Sequence, residues 1–184
     1  EDGSYTGVAK GKVVNILYKN EEENNNQIGT LYIKNSSVDD FVNIWYDYLD
    51  LGRDYSEIKQ KLAKDDIMRN AIAFGHGIRI LKQEFWETLI SFIISANNRI
   101  PMIMKVVAAL SKMYGDEVTF QGKSYYTFPQ VEKLASSSVE EVEFCRGGFR
   151  CKYILSTSQM IRDGDVRLER LETMSRDKAR NELM

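Results

Sequence analysis

The sequence predicts an α+β fold: an N-terminal antiparallel β-sheet with a packed helix, followed by a mostly α-helical lobe. Three observations carry the prediction. Apolar and polar residues alternate through YTGVAKGKVVNILYK and again through IGTLYIK from Ile28, the period of two that makes a half-buried strand. Beyond Ser37 the apolar positions recur at three- and four-residue steps almost to the end of the chain, which gathers them on one side of successive helices. No internal repeat, low-complexity domain or Pro-rich linker interrupts the 184 residues, which hold only two prolines, so the two patterns belong to abutting lobes.

Taken in order, the opening strands flank NEEENNNQ, residues 20–27, too polar and charged to pack and therefore expected as an exposed, mobile hairpin loop. Ser36 or Ser37 is placed to cap a helix over 38–51, in which Phe41, Ile44, Trp45 and Tyr48 share a face. Gly52 ends that helix, and the domain boundary is expected there, with residues 1–52 forming the sheet and its helix and residues 53–184 the helical lobe. Helices are then expected over 56–64, 66–74, 85–96, 101–113, 131–136, 138–144, 149–162 and 175–184. Pro101 suits the first turn of its helix and Gly115 a helix end. HGIRILKQ, residues 76–83, reads as extended backbone reaching back to the sheet.

A chain of this length buries about two thirds of the surface its unfolded form exposes, enough to fold without disulfide or metal staples. Cys145 and Cys151, the only cysteines, stand on either side of a Gly-Gly pair, and His76 is the one histidine. Neither has disulfide-framework or metal-ligand spacing, so reduced thiols, a loop histidine, no metal and no cofactor are expected. No signal peptide is visible and no apolar run reaches the roughly 18 residues of a membrane span, so a soluble cytoplasmic monomer is expected. The net charge of −2 offers phosphate no bulk attraction, but it is unevenly spread: −5 over residues 1–52, 0 over 53–145 and +3 over 146–184. That local excess fits a polar footprint on one face or a solvated helix surface.

Two motifs carry the functional argument. Asn97-Asn98 follows EFWETLISFIISA, whose Phe85, Leu89, Phe92, Ile93 and Ile94 demand burial, and precedes a proline that restarts a helix. A rigid helix end with two carboxamides offers a fixed edge that both donates and accepts, suited to a nucleobase; the competing reading is a helix C-cap, where Asn is common. The second motif, VEFCRGGFR, puts two glycines before Phe149 and Arg150 and opens a helix through Tyr153, Ile154, Thr157 and Ile161. Phe149 reads either as a wedge between base steps, with Arg150 a reader of a base edge or phosphate, or as a ring packed inward at a helix start. Tyr125-Tyr126 and the Met102, Met104, Met113 series fit core positions better than a stacking surface.

Together, ISFIISANNRIPMIMKVV, the YGD turn, TFPQVEKLA, GGFRCKYI and RLERLETMSRDKARNELM resemble, in order and spacing over residues 38–184, the 8-oxoguanine DNA glycosylases of the helix-hairpin-helix superfamily. The resemblance implies a helical lobe of that type and a base-excision repair enzyme, a glycosylase with AP-lyase activity that flips and removes 8-oxoguanine from double-stranded DNA. It implies DNA binding by Asn97, Asn98, Met102, Phe149 and Arg150. The counterpart of Asn97 fills the space left by the flipped base and touches the estranged cytosine, those of Phe149 and Arg150 wedge the stack and bind that cytosine, and Asn98 fixes the helix end.

Two departures qualify the resemblance. The family's glycine-rich hairpin, catalytic lysine and catalytic aspartate would follow the last helix, beyond Met184, and its GQ-F-RW segment would precede Glu1. A fragment trimmed at both ends, inactive by itself, is therefore expected, with no catalytic residue assigned and Lys152, Asp177 and Lys178 not substituted for the missing groups. Met102 stands where many relatives carry an arginine that reads the opposite cytosine, so relaxed opposite-base selectivity is expected. The alternatives are an alkylated-base glycosylase of the same superfamily and a non-catalytic helical module binding DNA or protein; the sequence following residue 184 discriminates among them.

Overall fold

The computed structural model describes residues 3–23 and 26–182, and side-chain surroundings for all of these except 20–23, 26–28, 172 and 182. Two compact units form, Glu1–Asn35 together with Glu84–Met184, and Ser36–Gln83. Neither cut falls at the boundary expected after Gly52. The chain leaves the sheet, builds the Ser36–Gln83 unit, and returns to pack later elements against its opening strands.

The first unit begins with β1 (Tyr5–Ala9), β2 (Lys12–Glu23) and β3 (Asn26–Lys34) in an antiparallel sheet ordered β1-β2-β3. Register runs from Tyr5 opposite Ile16 to Ala9 opposite Lys12, and from Asn15 opposite Lys34 to Glu23 opposite Asn26. The second ladder corrects the expected loop at 20–27: its strands take up all of that segment except Asn24 and Asn25, which lie outside the described residues. Polarity argues against burial, but ladder hydrogen bonds are made by the backbone whatever the side chain. Val13 and Val14 are buried, and Tyr18 lies over Gly29, shielding a strand position that has no side chain of its own.

The Ser36–Gln83 unit opens with α1 (Val38–Asp40), a π-helical turn over Phe41–Trp45, and α2 (Tyr46–Tyr48), one continuous helical run. Ser37 caps it through a capping box, accepting from the Asp40 amide at 3.0 Å while its own amide donates to Asp40 Oδ2 at 3.2 Å. α3 (Ser56–Leu62) and α4 (Asp66–Phe74) follow. Residues 76–83 correct the expected return to the sheet, since Lys82 N–H donates to the Tyr48 carbonyl at 2.9 Å and Ile80 N–H to Tyr55 Oη at 3.0 Å. His76 is exposed, and its carbonyl accepts from Lys59 Nζ at 2.6 Å, a loop residue's role.

Asp50 organises this unit. Its carboxylate is 6 % exposed and receives Tyr55 Oη–H at 2.7 Å, Arg53 Nε at 3.0 Å and Lys82 Nζ at 3.5 Å. The Tyr55 hydrogen bond, with Arg53 and Lys82 nearby, holds its pKa below the ordinary 3.8 even though burial opposes the shift. The unfolded chain therefore takes up a proton first as pH falls, so this contribution is complete above the ordinary carboxylate range and is lost as pH drops through the depressed value. Asp50→Asn should melt lower than wild type at neutral pH, and the difference should shrink below about pH 4. A difference that stays constant with pH would show that the ionised carboxylate is not what holds the loop.

Returning to the first unit, α5 (Phe85–Ser95) and α6 (Ile100–Tyr114) pack together, followed by the hairpin β4 (Glu117–Phe120) and β5 (Lys123–Tyr126). The hairpin was not expected; it turns on Gln121 and Gly122, both with positive φ (50° and 73°). α7 (Val131–Ala135), α8 (Val139–Glu143), a 3-10 turn over Gly148–Arg150, α9 (Cys151–Arg162), α10 (Leu168–Thr173) and α11 (Arg176–Glu182) complete it. The core joins Ile90 and Ile94 of α5, Val106 and Leu110 of α6, Leu134 of α7, Val142 of α8 and Ile154 of α9. Ile94 and Ile154 are among the positions that helical spacing selected, whereas Phe92, expected to be buried, is 75 % exposed; the core fixes the loops following α5 and α8.

Candidate nucleic-acid interface

α5 ends because its backbone turns left-handed at Asn97, φ 48°, after Ala96 N–H has closed back on the Ile93 carbonyl at 3.3 Å. Asn98 secures the corner from both sides: its Nδ2 donates to the Ile94 carbonyl at 3.0 Å and its Oδ1 accepts from the Arg99 amide at 2.9 Å. Both Asn residues thus serve the helix end, as the competing reading expects, Asn98 through its carboxamide and Asn97 through its backbone. Asn98 spends its carboxamide on the helix end, whereas Asn97, exposed, takes the capping conformation and has no side-chain hydrogen bond among the described residues. Pro101 lies in the first turn of α6, so the corner is short and stiff.

The second loop reaches this corner through Arg150. Its Nε donates to the Ala96 carbonyl at 2.8 Å, and its Nη2 donates to Ala96 at 2.6 Å and to Asn97 at 2.8 Å. Nη1 donates to the Gly147 carbonyl at 3.2 Å, closing its own turn. Four of these contacts go to backbone, leaving one N–H on Nη1 without a named acceptor. Sequence reading treated Arg150 as a reader of DNA; in this structure its visible work is to tie the Asn97 corner to the Gly-Gly turn.

Phe149 is 54 % exposed, so its ring is not a core member. Arg150 Cζ sits 4.4 Å from the ring centroid, and Tyr153 meets the ring edge-on at 6.5 Å. These contacts hold the aromatic in place with much of its surface free. The turn beneath needs both glycines: a side chain at Gly147 would come within 2.8 Å of Cys151 Sγ, and Gly148 has φ 61°. Cys145 and Cys151 are free and buried, and burial pushes the Cys145 thiol up to about 11 and the Cys151 thiol above its ordinary value, which leaves both as packing groups and not as nucleophiles.

Met102, in the first turns of α6, is 39 % exposed at the mouth of a pocket of about 220 Å³ that also receives Lys105 and Arg146. A larger cavity of about 400 Å³ elsewhere in the unit is lined by Glu84, Glu87 and Asp116 with Lys10. Burial and the neighbouring Glu84 raise the Glu87 pKa, and these carboxylates make that cavity a poor seat for phosphate. The structure thus brings Asn97, Asn98 and Arg150 into one hydrogen-bonded assembly with Phe149 on its border. No group of three or more His, Cys, Asp or Glu side chains suited to holding a metal occurs among the described residues.

Comparison with known proteins agrees with this architecture. Residues 1–89 match the family model for the 8-oxoguanine DNA glycosylase N-terminal domain. A Saccharomyces cerevisiae N-glycosylase/DNA lyase is 43% identical over 90 residues, which cover 46% of this chain and 23% of that protein. The solved structure of MBOgg1 in complex with a low-affinity DNA ligand matches all of this chain at 47% identity and a TM-score of 0.89. A Clostridium acetobutylicum 8-oxoguanine glycosylase/lyase, solved with double-stranded DNA containing cytosine opposite 8-oxoG, matches all of it at 40% and 0.88. A 3-methyladenine DNA glycosylase from Archaeoglobus fulgidus, at 21% and 0.68, shares the fold alone. This chain spans 61% and 60% of the length of the two 8-oxoguanine glycosylase structures. Over its whole length this chain is similar in sequence and in fold to 8-oxoguanine DNA glycosylases, and its first 89 residues match that family's N-terminal domain.

Proposed function

We propose that the intact protein is a DNA glycosylase with AP-lyase activity that removes 8-oxoguanine from duplex DNA by base flipping, in base-excision repair. The observation that carries the proposal is the free carboxamide of Asn97 on a locked left-handed corner, tied through Arg150 to an exposed Phe149. An enzyme that breaks a glycosidic bond must take the base out of the stack, at a cost of a few kcal/mol. Phe149 offsets part of that cost by entering the stack, and Asn97 presents one donor and one acceptor to the space the base vacates. Arg150 holds both parts in register, and its remaining N–H faces the orphaned partner base. The bond-breaking amine and carboxylate are assigned to no residue between Glu1 and Met184.

Identity of 40–47% to structures described as 8-oxoguanine glycosylases, against 21% to the 3-methyladenine enzyme, favours oxidised purine over alkylated base as the substrate class. The test is single-turnover release of base from duplexes carrying 8-oxoguanine or 3-methyladenine, followed by alkali-free strand cleavage. Release of 8-oxoguanine with strand nicking is expected. Release of the alkylated base alone, or binding without release of either, would replace this proposal with one of the two alternatives.

A further inference from the structure

Among the described residues Lys105 and Arg146 have no ion pair and no side-chain hydrogen bond, although both reach the 220 Å³ pocket beside Met102. Elsewhere Lys82, Lys133 and Arg162 each hold a carboxylate. No carboxylate lines this pocket, whose floor is Val106 and Cys145 and whose rim includes Phe144, 75 % exposed. Arg146 has a φ of 59°, a left-handed conformation that penalises any residue with a Cβ and would suit glycine. The left-handed turn ends α8, with Arg146 N–H donating to the Glu143 carbonyl at 2.8 Å, and it brings the Arg146 side chain to the same carboxylate-free pocket that Lys105 lines.

We infer that Lys105 and Arg146 form a phosphate-anchoring site for the DNA backbone, with the sugar lying against Met102 and Phe144. The inference rests on the DNA-glycosylase reading. Neither cation is forced toward a base edge, since the pocket supplies apolar floor and charge without an oriented acceptor, so the site strengthens binding without reading sequence. Each phosphate neutralised releases condensed counterions, which makes the contribution visible as salt dependence.

The experiment measures the affinity of the intact protein for undamaged duplex and for 8-oxoguanine opposite each of the four bases, across salt concentrations. Lys105→Gln and Arg146→Gly should each lower the slope of log affinity against log salt by about one, and the double variant by about two, equally for every duplex. Between about 50 and 200 mM salt the double variant should lose roughly tenfold less affinity than wild type. Arg146→Gly relieves the left-handed backbone, so folding is not threatened, and Arg146→Lys should keep the wild-type slope. An unchanged slope in the double variant, or a loss confined to one opposite base, overturns the phosphate site while leaving the glycosylase reading intact wherever wild type still excises. A wild type that neither binds nor excises overturns both.

Discussion

Phe149→Ala in the intact protein should slow single-turnover excision of 8-oxoguanine by roughly 30- to 100-fold while moving the melting temperature little. The rate effect corresponds to about 2–3 kcal/mol of unstacking free energy that the ring no longer supplies. The stability effect is small because the ring is 54 % exposed and its named contacts are Arg150 at 4.4 Å and the edge of Tyr153 at 6.5 Å. Such contacts contribute about 0.5–1 kcal/mol each at a partly exposed site. A core phenylalanine would instead cost about 3–5 kcal/mol on truncation. A thermal melt beside the excision assay separates the cases, and excision at the wild-type rate by a folded Phe149→Ala protein would remove the wedge from the mechanism.

The sequence made one half of this site legible and concealed the other for reasons of separation along the chain. Asn98's capping role follows from an amide directly after an apolar helix, which is local information. Whether Phe149 faced inward stayed open because a Gly-Gly-Phe start serves a buried ring as well as an exposed one; the fold leaves the ring 54 % exposed against Arg150 and Tyr153. The hydrogen bonds from Arg150 to Ala96 span 54 residues, so its charge suggested a nucleic-acid contact before its carbonyl partners were visible.

The fold shows the same division. Helical spacing located α5, α6 and α9 because each contributes a buried face to one core. The β4–β5 hairpin escaped because its strands are four residues each and Gln121 occupies a turn position where Asn or Asp is the usual signal. α10 escaped because six residues hold too few apolar positions to establish a period, although Leu171 is buried. The Ser36–Gln83 unit was divided at Gly52 because that glycine looks like a helix stop. The Asp50 network, in which Arg79 donates to the Asp50 carbonyl at 2.6 Å from 29 residues away, holds the two sides together.

Met102→Arg tests whether opposite-base selectivity is set on the first turns of α6. A thioether has no strong donor, so wild type should discriminate weakly among bases opposite 8-oxoguanine, whereas a guanidinium at 102 presents paired donors to an acceptor edge. Met102 is 39 % exposed at the pocket mouth, and Lys105 and Arg146 already place positive charge on that pocket. An arginine introduced there is repelled from the pocket and directed toward the duplex, where the orphaned base lies in the proposed complex. The expected gain is about 1–3 kcal/mol of preference for cytosine, the usual worth of a good charged base contact, or roughly 5- to 150-fold in relative excision rate. Single-turnover excision opposite each of the four bases, at one salt concentration, measures it. The change should fall on one opposite base, in contrast to the uniform salt effect expected at Lys105 and Arg146. If wild type already rejects every base but cytosine by several orders of magnitude, or if Met102→Arg alters all four rates alike, selectivity resides elsewhere and Arg150's remaining N–H becomes the group to test.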